Sequence, residues 1–133
     1  MYALAGIGLL LIASSLAILL SPERWARFWV EFSGKSYFHV VEIGSRIVLA
    51  VMLFAFAEQA IHPLGIRILG GVVACGVIGL LVMGEARHKR FAVVVFDKYL
   101  RLIRWMGLAG IVVGLWVVYA SVGPLIMSIG ALE

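Results

Sequence analysis

Residues 2–20, YALAGIGLLLIASSLAILL, carry no charged side chain, and three further apolar runs follow at 38–58, 66–84 and 105–124. A helix crossing a bilayer needs about 20 mainly apolar residues. Lipid offers no water to an unpaired backbone group, so helices are the economical form for such runs. Composition leaves little choice of solvent. Apolar residues make up 64 % of the chain and charged residues 14 %, against about 45–50 % and 25 % in soluble domains. A soluble chain of 133 residues leaves too much surface wet to hide that excess. The expected fold is an all-α integral membrane protein with four transmembrane helices and no sizeable extramembrane domain.

The first run reads as a retained span. No Lys or Arg precedes Arg24 and the run ends in SPER, whereas a secretory signal has a basic start and a small-x-small cleavage site. The second span has a fully apolar part, Ile47–Ala57, that is short alone. It suffices if Arg46 extends towards the headgroups. In the fourth span Gly123-Pro124 is expected to kink or end the helix, since proline lacks a backbone donor and crowds the preceding turn. Residues 125–133 then form an apolar tail, either bent or lying along the interface.

Two stretches between spans mix cations with aromatics. In 22–33, Ser21 suits an N-cap, Pro22 the first helical position, and Ser33-Gly34 a stop. Trp25, Phe28, Trp29 and Phe32 share one helical face, while Arg24, Arg27 and Glu31 point elsewhere. Such an amphipathic helix lies at the membrane surface, rings in and charges out, or packs on the spans. The second stretch, 86–103, is followed by Arg104 and Trp105; it contains Arg87, Lys89, Arg90, Lys98 and Arg101, with Phe91, Val94, Val95, Lys98 and Leu102 tracing a helical period. The expected interfacial anchors are Arg24, Trp25, Arg27, Phe28, Trp29, Arg90, Phe91, Tyr99 and Trp105.

The two stretches belong to an internal likeness. A shift of 62 residues places Gly8 on Gly70, Glu23 on Glu85, Tyr37 on Tyr99, Ser45 on Gly107 and Leu53 on Leu115. One step away, Arg27-Phe28 falls on Arg90-Phe91 and Pro63 on Pro124. The order of elements repeats more clearly than the residues do. The chain is therefore expected to hold two tandem, like-oriented two-helix repeats, 1–64 and 65–133. Each would carry an amphipathic interfacial helix in its cytoplasmic loop, and the halves would be related by a pseudo-two-fold along the membrane normal.

Charge orients them. Nine of the eleven Lys and Arg lie in the two bends, and Arg67 alone sits towards the other face. Basic bends stay cytoplasmic. Both termini and His62 are thus expected outside the cytoplasm, in a membrane of the bacterial inner type. The net charge of +4 points to anionic lipid headgroups and not to nucleic acid.

Chemistry is scarce. His39, His62 and His88 lack metal-ligand spacing, His62 is expected on the far face, and His39 has no obvious mate except in another subunit. Cys75 lies alone in a span, and no Ser-His-Asp or Cys-His set stands out. No catalytic residue, cofactor or metal is expected. Glu42 and Arg46, four apart with Glu first, suit a helical ion pair. Arg104 falls opposite Glu42 in the repeat and could pair across the symmetry axis. A locking pair near the interface is the expectation; a proton or ion relay is the alternative. Ala13 and Ala17, Gly71, Cys75 and Gly79, and Gly110 and Gly114 repeat every four residues, the spacing that lets membrane helices approach.

The expected function is non-catalytic: an accessory or scaffold subunit of a membrane complex, or a self-assembling oligomer, acting by helix–helix association. A small transporter or channel is the second reading, and a lipid- or quinone-interacting membrane enzyme subunit the third.

Overall fold

The computed structural model describes residues 2–132. Met1 and Glu133, the latter the last position of the expected 125–133 tail, lie outside the described residues, as does the Asp97 side chain. Six α-helices follow one another: α1 (Tyr2–Leu20), α2 (Pro22–Ser33), α3 (Phe38–Phe56), α4 (Pro63–Met83), α5 (Glu85–Lys98) and α6 (Leu100–Gly130). A 3-10 turn, Ala57–Gln59, prolongs α3.

Four of these are long and apolar enough to cross a membrane: α1, α3 with its 3-10 turn, α4 and α6. Only 22 % of the span residues in the first three, and 28 % in the fourth, are buried inside the protein. Most span side chains therefore need an apolar surrounding that the chain does not supply, and the molecule fits a membrane protein.

Local chemistry sets the breaks. Pro22 and Pro63 open α2 and α4, where a missing N–H costs nothing. Gly84, between α4 and α5, has φ +78°, a conformation that β-carbon-bearing residues resist. That glycine lets the chain pass from α4 into α5 without a loop.

The spans pair first with last and middle with middle. α1 packs along α6, α3 along α4, and α2 along α5, while α1 touches α3 only lightly. The main core gathers Leu4, Ile7, Leu53, Ala57, Ala60, Ile66, Val117 and Ala120. α1 and α6 approach backbone to backbone at Gly8 and Gly114. A β-carbon on Gly8 would lie 2.8 Å from the Gly114 carbonyl oxygen, and one on Gly114 would lie 2.9 Å from that of Gly8. Only glycine permits this approach.

Two expected boundaries shift. The surface helix expected over 86–103 stops at Lys98, so Arg101 and Arg104 belong to the first turns of α6. Pro124 does not end the last span, and α6 continues through Gly130 for 31 residues. Proline at 124 cannot donate to the Ala120 carbonyl four residues earlier. The Ile61 N–H donates to it instead, at 2.9 Å. Gly123 makes room, since a β-carbon there would meet Ile61 at 2.7 Å. At 1.5 Å per residue α6 is about 47 Å long, beyond the roughly 30 Å of hydrocarbon.

Candidate functional site

The chemistry gathers at the end of the bundle that holds α2 and α5. His39 begins α3 and His88 lies in the first turns of α5. Their Nδ1 atoms are 2.8 Å apart. One ring donates and the other accepts, so the two carry different tautomers or share one added proton. Sequence reasoning left His39 without a mate; its mate is 49 positions away in the same chain. His88 is buried, 3 % exposed, against the ring of Phe38 at 4.7 Å between centroids. Burial pushes its imidazole below the usual value, the Glu42 carboxylate pulls the other way, and His39 and Arg46 add to the lowering.

One helical turn along α3 from His39, the Glu42 carboxylate accepts from Arg46 Nε at 3.0 Å and from the terminal nitrogen at 2.6 Å. This is the ion pair that their spacing predicts. Arg104 does not join it. Its side chain is exposed, and the ion pairs among the described residues are Glu42–Arg46, Glu58–Arg67 and Glu85–Lys89. The Lys89 ammonium holds the Glu85 carboxyl below its ordinary value through a direct hydrogen bond.

Glu42, Arg46 and His88 border a cavity of about 370 Å³ to which all six helices contribute. Trp25 and Trp29 of α2, Phe38 of α3, and Phe91 and Phe96 of α5 supply its aromatic wall. Glu42, Arg46 and His88 form the polar part. Trp29 stacks on Phe96 at 5.9 Å with the planes 10° apart and meets Phe38 edge to face. Its indole Nε1 is buried without a hydrogen-bond partner, the one such side-chain atom among the described residues. Buried donors normally have partners.

Trp29, one of the expected interfacial anchors, is half-buried on α2 against Phe38 of α3 and Phe96 of α5, the packing alternative for this face. Trp25 is half-buried too, while Arg24, Arg27, Phe28, Arg90, Phe91, Tyr99 and Trp105 are exposed. In α5, His88 and Ala92 are buried, while Phe91, Val94 and Lys98 of its helical period are exposed. The small residues divide three ways. Gly110 and Gly114 are spent against α1, where a β-carbon on Gly110 would overlap the Ser15 hydroxyl. Ala13 and Ala17 are exposed. Gly71 and Gly79 have nothing within 4 Å of where a β-carbon would stand, and Cys75 between them is exposed.

Among the described residues no three of His, Cys, Asp or Glu lie together as a metal would need. Comparison of the chain with protein-family models, with curated proteins and with solved structures returns no match.

Proposed function

We propose that this protein is a non-catalytic membrane subunit that works by helix–helix association, its docking surface being the Gly71–Cys75–Gly79 face of α4. The observation that carries this reading is the uneven use of small residues. Gly8, Gly107, Gly110 and Gly114 are all in contact across α1 and α6. The α4 series has the same spacing and nothing upon it. In lipid, apolar surface alone drives little association, and small-residue faces that allow close backbone contact carry it.

The reading includes an arrangement in the membrane. Two tandem repeats of span, interfacial helix and span would lie with both cationic bends on the cytoplasmic side and both termini outside, in a membrane of the bacterial inner type. The pairing of helices supports it, because exchanging the halves turns the α1–α6 pair into the α4–α3 pair and α2–α5 into itself. Buried positions 62 apart support it too: Leu4 with Ile66, Ser15 with Val77, Ala26 with His88. Trp29 stacked on Phe96 fits two bends on one side.

Cys75 supplies the test. In native membranes a short thiol cross-linker should trap the chain at twice its own mass if copies self-associate, or at another discrete mass if a different subunit docks. Gly71→Leu with Gly79→Leu meets no neighbour inside the chain, so it should leave folding intact and abolish the product. A chain that stays uncross-linked, and that purifies with the same companions after the double substitution, would refute the reading.

A further inference from the structure

We infer that the open cleft where α4 meets α5 binds one anionic glycerophospholipid, its phosphate held by Arg87 and Arg90 and its acyl chains lying along the end of α4. This rests on the proposed arrangement with the bends at the membrane surface. It does not rest on helix docking, because the cleft meets the Gly71–Cys75–Gly79 face only at Gly79.

The corner at Gly84 builds the site. Its positive φ joins the last turn of α4 directly to the first of α5. Gly79, Val82 and Met83 form the α4 wall of the cleft, and Arg87, Arg90, Phe91 and Val94 the α5 wall, around a volume of about 590 Å³. Sites for small molecules run from about 300 to 1,000 Å³. Within each wall the residues stand three and four apart, so each wall is one helical face.

Two properties of the cleft select the occupant. The first is unmatched positive charge. Among the described residues the ion pairs are Glu42–Arg46, Glu58–Arg67 and Glu85–Lys89, and neither Arg87 nor Arg90 has such a partner. Among the same residues no carboxylate lines the cleft. A guanidinium presents a planar fork of donors that matches a phosphate group. The second property is that the cations share their face with apolar side chains. Phe91 is 53 % exposed and Val82 80 %, and Val82 stands near the end of a span. A free phosphate would leave this apolar surface bare, and a plain hydrocarbon would leave the arginines unmatched. A phospholipid covers both, with an anion at one end and alkyl chains at the other. Two unmatched cations also favour a headgroup of net negative charge over one that carries its own ammonium, as basic residues beside a span do in general.

The test titrates the full chain in mild detergent with phosphatidylglycerol, or with phosphatidylcholine of the same acyl chains, and reads bound lipid by native mass spectrometry. Retention of one phosphatidylglycerol per chain is expected, about tenfold tighter than phosphatidylcholine, as one hydrogen bond to a charged group implies. Arg87→Gln with Arg90→Gln should remove that preference. Arg101→Gln with Arg104→Gln takes as much charge from α6, outside the cleft, and should leave the affinity unchanged. All four arginines are exposed, so both variants should keep the native helicity. Equal retention of the two lipids would overturn the inference. So would equal losses from the two arginine pairs, which would mark a diffuse attraction of the bends for anions. Competition by glycerol 3-phosphate at the lipid's own concentration would mark a site for a free phosphate and overturn it too. Sidedness is read separately, from maleimide labelling of cysteines placed at Lys35 and Lys98. One-sided labelling without lipid retention would reject the lipid site and leave the arrangement standing.

Discussion

Gly114 and Gly79 are the same residue type on two spans, and the structure gives them opposite duties. At Gly114 the neighbouring helix backbone is within 2.9 Å of a would-be β-carbon; at Gly79 nothing is near. Gly114→Ala should therefore push α1 and α6 apart, costing about 1–3 kcal/mol as overpacking does, seen as a lower melting temperature in detergent. Gly79→Ala should leave the melting temperature unchanged or slightly raised, because alanine is the better helix former. A second prediction concerns His88. Burial holds its folded pKa below the unfolded value, which is about 6.5. The folded state thus binds fewer protons, so the stability His88 contributes is fully present above about pH 6.5 and lost as pH falls through the folded value. Thermal melts between pH 7.5 and 5 should show this loss, and His88→Gln should flatten it. At this scale the Glu42–Arg46 pair was legible, because four residues on a helix are one turn. The His39–His88 contact was not, because nothing local joins residues 49 apart.

At the scale of elements, the course of α6 past Pro124 and the packing of α5 have physical causes. Pro124 was expected to kink or end the helix because it removes a donor and crowds a carbonyl, and the helix continues through it. The proline does remove the donor, but Ile61 from the α3–α4 link replaces it. Pro124→Ala restores a competing N–H to the Ala120 carbonyl, and the Ile61 amide should then exchange with deuterium several-fold faster, as the loss of about 1 kcal/mol implies. The period of α5 groups Phe91, Val94, Val95 and Lys98, but a period alone does not say which side meets protein. Ala92 and His88 are buried while the larger Phe91 and Val94 are exposed, as expected where helices pack closely through small residues.

For the whole molecule, the prediction is one of sidedness. In a Cys75→Ser background, cysteines placed at Lys35 and Lys98 should react with a membrane-impermeant maleimide from the cytoplasmic side only, and one at His62 from the opposite side only. Four spans, their approximate limits and the two cationic bends followed from the chain alone, because a long apolar run without charges has one stable form in a bilayer whatever its neighbours do. Which span lies against which could not follow from it, since between their charged ends the four spans are apolar all round and periodicity marks no preferred face. The α1–α6 and α3–α4 pairs, the cavity between the bends and the unpaired indole of Trp29 exist only once backbones distant in the chain approach to contact. That approach is decided by where glycines and side-chain volumes complement one another in three dimensions.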